Sequence, residues 1–139
     1  MLILDTNVLS ALMSTRPAPD VETWIEAQNP DDLYTTAVSQ AEVMSGLAVM
    51  DAGKRRKALE AEAKRLFAED FAGRVLPFDC EAVAAYAEIF AARAQAGKPI
   101  SRLDLMIAAI AKSHSATVVT RDAGGFEGCG FEVVNPWNS

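Results

Sequence analysis

The 139-residue chain is 50% hydrophobic and carries a formal net charge of -6. That length favours one domain, residues 1–139, with a real core, and the composition excludes a disordered chain. The acid excess argues against a general nucleic-acid binder, and two cysteines, Cys80 and Cys129, are too few for a disulfide scaffold and lack metal-site spacing.

The chain opens with a short apolar strand, Leu2–Asp5, running into Asp5-Thr6-Asn7. A short helix over Asn7–Ser14 is expected, stopped by Pro17 and Pro19. Asp20 starts a second helix, with Val21, Trp24, Ile25 and Gln28 at helical spacing. Asn29-Pro30-Asp31-Asp32 is a turn before the second strand, Leu33–Thr36. Ser39 begins a third helix, in which Val43, Leu47 and Met50 share a face, and Gly53 breaks it. A long fourth helix is expected over Lys54–Ala72, with Leu59, Ala63, Leu66 and Phe67 turned inward. Gly73 ends it, and Arg74–Pro77 is the third strand. Asp79 caps a fifth helix that runs to Gln95, before Gly97 and Pro99. Ser101 caps a sixth, apolar nearly all round from Leu105 to Ala111 and therefore central. Thr117–Thr120 is the fourth strand, and a glycine-rich loop, Ala123–Gly130, leads to the fifth, Phe131–Val134.

Strands alternating with helices imply βαβ crossovers. The expected fold class is α/β: three layers, with a central parallel sheet of four to five strands covered by helices on both faces. The apolar run at Leu105–Ala111 is too short to cross a bilayer and no signal peptide fits the start, so a soluble cytoplasmic protein with reduced thiols is expected.

Four acids stand at element boundaries. Asp5 and Asp122 each follow an apolar strand, and Glu42 and Asp104 each fall in the first turn of a helix. In a parallel sheet those places share one edge, so the four carboxylates can converge. Such a cluster suits hard cations such as Mg²⁺, which take oxygen ligands and keep waters. Ordinary structural roles compete with this reading. Ser39-Gln40-Ala41-Glu42 and Ser101-Arg102-Leu103-Asp104 resemble capping boxes, Asp5 can cap the first helix, and Asp122 can form a turn before Gly124-Gly125. Together the four fit those roles less well. Two carboxylates about 5 Å apart repel by roughly 3 kcal/mol at an effective dielectric near 20.

Other chemistries lack their residues. His114 is the only histidine, which excludes a two-histidine ribonuclease mechanism and reads instead as a charge at a helix end. Neither a Gly-x-Ser-x-Gly elbow nor a Gly-x-x-x-x-Gly-Lys-Ser/Thr loop is present. Metal-assisted hydrolysis remains, because a metal-bound water needs no neutral-pKa side-chain base.

These residues resemble a PIN domain, and more narrowly a toxin of the VapC family, over nearly the whole chain. The resemblance rests on Leu4-Asp5-Thr6-Asn7, then Ser39-x-x-Glu42 with Gly46 one turn later. It continues with Asp104-x-x-Ile107-Ala108-Ala109-x-Ala111 and Thr120-Arg121-Asp122, then Phe126 and Asn135-Pro136-Trp137. The closing tripeptide and the spacing look closest to the FitB-type branch. The resemblance implies a Mg²⁺- or Mn²⁺-dependent endoribonuclease that hydrolyses RNA phosphodiesters. Asp5 and Asp104 would be direct ligands, Glu42 and Asp122 would complete the site or hold a second metal, and Asn7 and Thr120 would position acids or waters. One departure stands out: many relatives carry Asn where Asp122 stands and Asp three residues later, where this chain has Gly125. The family further implies a homodimer and a cognate antitoxin, with operator DNA reached only through the antitoxin complex, and no membrane. Trp24, Trp137 and the apolar side of Lys54–Ala72 are candidate partner surfaces or core.

Basic residues offer a second reading. Lys54, Arg55, Arg56 and Lys57 begin a basic stretch, and Arg102 and Arg121 flank the acids in sequence. Each is a possible RNA or partner contact, or a solvated surface charge. The alternative function they motivate is a nucleic-acid-binding module that acts with its antitoxin and cuts little.

Overall fold

The pleat of the two central strands decides the layers. In β1 (Leu2–Leu4), Ile3 packs into one apolar cluster and Leu4 into the other. In β4 (Thr117–Val119), Val118 and Val119 divide in the same way. Successive side chains of a strand point to opposite faces, so both faces of this sheet need a cover. The computed structural model of the protein describes residues 1–16 and 18–138.

Three further strands, β2 (Leu33–Thr36), β3 (Val75–Leu76) and β5 (Val133–Val134), complete a five-stranded sheet in the order β3-β2-β1-β4-β5. Every pairing is parallel, with Leu2 opposite Leu33 and Thr117, and Ile3 opposite Val118. The six α-helices among the described residues are α1 (Thr6–Met13), α2 (Pro19–Glu26), α3 (Ala37–Ala48), α4 (Lys54–Arg65), α5 (Cys80–Gln95) and α6 (Arg102–Ser113). Residues of α5 and α6 pack with Ile3 and Val118 on one face. Residues of α1 to α4 pack with Leu4, Leu33 and Val119 on the other. This is the expected three-layer α/β/α arrangement. Helix α6 is buried from Ile107 to Ala111, as its continuous apolar run requires.

The chain winds outward from β1 through β2 to β3, then returns to place β4 on the other side of β1. The strand order therefore reverses between β1 and β4. Open parallel sheets bind ligands outside the strand C-termini at such a reversal. Asp5 follows β1, and Thr120 follows β4.

The structure corrects several boundaries. The long fourth helix ends at Arg65 and passes into a π-helical turn, Leu66–Asp70, where the Phe71 N–H donates to the Leu66 carbonyl at 2.9 Å. Phe71, at the close of this wider turn, is buried in the same cluster as Leu66 and Phe67. Helix α3 starts at Ala37 rather than Ser39, because the Thr36 hydroxyl is the cap and accepts from the Ser39 N–H at 3.0 Å. Strand five is confined to Val133–Val134, and part of the glycine-rich loop is a 3₁₀ turn, Ala123–Phe126. Pro17, expected to stop the first helix, lies outside the described residues. Asn29 caps a short 3₁₀ turn, Pro30–Asp32, where a turn was expected. Both cysteines are free thiols, Cys80 exposed and Cys129 buried. No helix among the described residues is long and apolar enough to cross a membrane.

Candidate functional site

By the rule for open parallel sheets the crevice of this fold lies at the C-terminal ends of β1 and β4, and Asp5 stands there. It is 5% exposed, and its backbone N–H donates to the Val119 carbonyl at 2.9 Å, which fixes it to the neighbouring strand. Its side chain does cap α1, as one structural reading expects, accepting from the Thr6 N–H at 2.8 Å. The other carboxylate oxygen accepts from the Thr120 hydroxyl at 2.9 Å. Burial pushes the Asp5 carboxyl above the usual carboxylate range. The bonds from Thr6 and Thr120 pull it back, and the charges of Asp104 and Glu42 push it up further. Both other acids thus lie close enough to act on Asp5.

Glu42 is half-buried on α3, and its carboxylate accepts from the Thr6 hydroxyl at 2.8 Å. The capping-box reading of Ser39 and Glu42 is therefore overturned: Thr36 is the cap, and Glu42 faces β1 and α1 instead. The Ser39 hydroxyl is buried without a hydrogen-bond partner. Asp104 is half-buried in the first turn of α6, where its N–H donates to the Ser101 hydroxyl at 3.2 Å. That is half of the expected capping box, and it leaves the Asp104 carboxylate available to the crevice.

Thr120 is fully buried and ties the fourth acid to the first. Its hydroxyl donates to Asp5 and accepts from the Asn7 side-chain amide at 3.2 Å and from the Asp122 N–H at 3.1 Å. Asn7 Oδ1 in turn accepts from the Arg121 backbone N–H at 3.1 Å. Asn7 and Thr120 thus hold the segment after β4 against the start of α1. Asp122 is exposed and begins the 3₁₀ turn, its carbonyl accepting from the Gly125 N–H at 3.2 Å. The turn reading of Asp122 is correct as far as its backbone goes. Its carboxylate folds over Gly125, where an added Cβ would meet Asp122 Oδ2 at 2.7 Å. Asp122 thereby fills the place that a side chain at position 125 would take.

All the nearby donors are hard oxygens, the kind that Mg²⁺ and Mn²⁺ take. Among the described residues, no three Asp, Glu, His or Cys side chains stand as a ready-made ligand group. Mg²⁺ does not require one, since it usually binds through one or two carboxylates and keeps its waters. A cation would also offset the burial of the Asp5 carboxylate and its repulsion by Asp104 and Glu42.

The basic stretch is elsewhere. Lys54, Arg55 and Lys57 are exposed at the start of α4, after α3 has run 12 residues away from the crevice. Arg56 is committed to Glu60 at 2.9 Å and to the Met50 carbonyl at 3.1 Å. Arg102 is exposed on the first turn of α6, and Arg121 is exposed beside Asp122. Trp24 and Trp137 are half-buried and pack against the cluster that holds Leu4 and Val119.

Three features escaped sequence reasoning. The Thr6 hydroxyl links Glu42 to the segment after β1, although Thr6 stands inside the quoted opening motif. The ring of Trp137 carries the Arg121 guanidinium. Arg93, only 8% exposed, donates to the carbonyls of Glu127 and Gly125, the latter at 3.1 Å, and clamps the loop behind Asp122. A signal for Arg93 was present: it continues the buried stripe Ala82, Ala85, Ile89 along α5.

The PIN domain family model matches residues 2–130. The chain belongs to the PIN-domain family. Among PIN proteins it is 43% identical over 137 residues to VapC ribonuclease Y4jK of Sinorhizobium fredii, covering 99% of this chain and 98% of that one. It is 39% identical over 138 residues to Toxin FitB of Neisseria gonorrhoeae, covering 99% of both. The PIN fold also superposes on the solved structure of FitAB bound to a DNA fragment, with a TM-score of 0.92, 39% identity and coverage of 99% of this chain and 96% of that one. The expected VapC-like character and FitB-type branch are thus found, as is the expected fold.

Proposed function

We propose that this PIN domain is a Mg²⁺- or Mn²⁺-dependent endoribonuclease and the toxin of a type II toxin–antitoxin pair. The observation that carries the reading is Asp5. A buried acid at the strand-order reversal bears the added repulsion of Asp104 and Glu42, an arrangement that costs stability unless a cation or a proton offsets it. The names of VapC ribonuclease Y4jK and Toxin FitB support the same activity and role.

In this reading Asp5 and Asp104 hold the metal, and Glu42 and Asp122 complete the site. When bound, Mg²⁺ or Mn²⁺ lowers the pKa of a coordinated water and offsets charge that develops on the phosphate. The chain's own residues supply position. Thr120 and the Thr6 N–H fix the two Asp5 oxygens, the Thr6 hydroxyl orients Glu42, and Asn7 keeps the Thr120–Asp122 segment against α1. None of these hydroxyls or amides needs to change protonation, so the site is organised before substrate arrives.

The cognate antitoxin is part of this proposal, as is a homodimer, with operator DNA bound through the antitoxin complex. The solved FitAB–DNA assembly supports an antitoxin partner. The test is a labelled RNA pool incubated with antitoxin-free protein in EDTA, Mg²⁺ and Mn²⁺. Cleavage that needs metal is expected. Folded protein that binds RNA but never cuts it in either metal would instead favour the binding-module alternative.

A further inference from the structure

One cation next in sequence to the Thr120 that bonds Asp5 is held more firmly than a free surface charge. Arg121 lies between Thr120, which bonds Asp5, and Asp122. Its main chain is fixed on both sides: the N–H donates to Asn7, and the carbonyl accepts from the Asn135 side-chain amide at 3.3 Å. The guanidinium lies over the Trp137 ring, 4.9 Å from its centroid. Trp137 is itself held, since its backbone N–H donates to Asn135 Oδ1 at 2.9 Å and its ring packs against the core. Asn135 thus braces both members of the pair.

Arg121 is exposed, yet among the described residues it forms no ion pair with any acid. Stacking uses the flat face of a guanidinium and leaves the N–H donors free along its edge. Those donors form a fork that matches two phosphate oxygens. Arg102, on the first turn of α6, has no aromatic platform among the described residues. In a chain with a net charge of -6 and an acidic crevice, a phosphodiester needs a fixed positive contact close to the acids.

The geometry points to a phosphate-binding subsite for single-stranded RNA, formed by Arg121 held on Trp137, that takes a backbone phosphate next to the scissile one. The subsite rests on the ribonuclease reading. It orients the strand by its backbone and adds no base discrimination. Its contribution is uniform binding, felt in KM more than in kcat.

The experiment measures binding of labelled single-stranded RNA across a salt series in EDTA, with Asp5→Asn as the uncleaving parent. Arg121→Gln in that background should weaken binding about tenfold and flatten the slope of log K against log salt by about 0.7, the share of one phosphate contact. Trp137→Leu keeps the charge and should weaken binding about threefold with the slope unchanged. Arg121→Gln alters only an exposed side chain, so it keeps the test valid if Trp137→Leu fails to fold. With metal present, Arg121→Gln on the wild-type chain should raise KM and spare kcat. Parental affinity and slope in Arg121→Gln would overturn the subsite while leaving the nuclease reading intact, and so would a loss confined to kcat. A parent that binds no RNA, together with a wild-type chain that cuts none, would overturn both.

Discussion

The crevice at β1 and β4 and the outer face of α4 both gather charge, and they differ in what surrounds it. In the crevice, Asp5 is 5% exposed, and its proton affinity is raised by burial and by Asp104 and Glu42. On α4 and the turn after it, charges pair in water: Arg56 with Glu60, and Arg65 with Glu62 and Asp70. Exposed pairs of this kind contribute little, because solvent screens them. The crevice has like charges in a low-dielectric place, held by a buried threonine. Burial, rather than the number of charges, sets the two regions apart.

The largest effect that separates the two regions is catalytic. Asp5→Asn or Asp104→Asn should reduce RNA cleavage by at least about 100-fold with an unchanged far-UV spectrum, as their proposed role as direct metal ligands requires. If either variant cuts at the wild-type rate, the assignment of the acids fails.

The fourth acid gives a sharper comparison. Asp122→Asn should lower cleavage by roughly 10- to 100-fold, and adding Gly125→Asp should restore most of it. The Asp122 carboxylate stands where a residue-125 side chain would begin, so the two positions compete for one place. A double variant as poor as Asp122→Asn alone would show that position 125 cannot present an acid to the crevice.

Thr120→Val tests the brace. The hydroxyl makes one donated and two accepted contacts, all lost in an isosteric side chain. A stability loss of about 2 kcal/mol is expected by urea denaturation, with a drop in cleavage of about tenfold. Unchanged cleavage would mean that Asp5 needs no brace.

Asp5 also predicts a pH dependence. Its folded pKa is raised, so the folded state binds more protons than the unfolded chain above about pH 4. The Asp5 contribution to stability is therefore fully present below the unfolded pKa and is lost as pH rises through the folded value. Metal-free protein should lose a few degrees of Tm across that window, and Asp5→Asn should lose less. A wild-type profile that matches the variant would contradict the raised pKa.

The smallest effect is expected on the basic face. Replacing Lys54, Arg55 and Lys57 with Gln should change stability by no more than about 0.5 kcal/mol per site and leave cleavage intact. A large fall in RNA affinity there would revive the binding-module alternative.

Much of this was legible in the sequence. The parallel sheet follows from strands alternating with helices, and from the sheet follows the approach of Glu42 and Asp104 to Asp5, whereas the Asp122 carboxylate lies over Gly125. The π-helical turn at Leu66–Asp70 was not legible, because Lys54–Ala72 keeps helical composition throughout and no residue in it marks a wider turn. The role of Glu42 was ambiguous for a similar reason. Ser39-x-x-Glu42 satisfies a capping pattern, and only the cap at Thr36 and the bond from Thr6 decide against it. Trp137 was legible as an aromatic near the end of the chain, but its stack on Arg121 joins positions 16 residues apart through Asn135, a contact that no local pattern encodes.

The central claim is that the acids of the crevice serve a cation. Calorimetric titration of Mn²⁺ into the wild-type chain and into Asp5→Asn tests it without RNA. The account predicts saturable binding by the wild-type chain and its loss in Asp5→Asn. Equal binding by both, or no binding by folded wild-type protein, would contradict it.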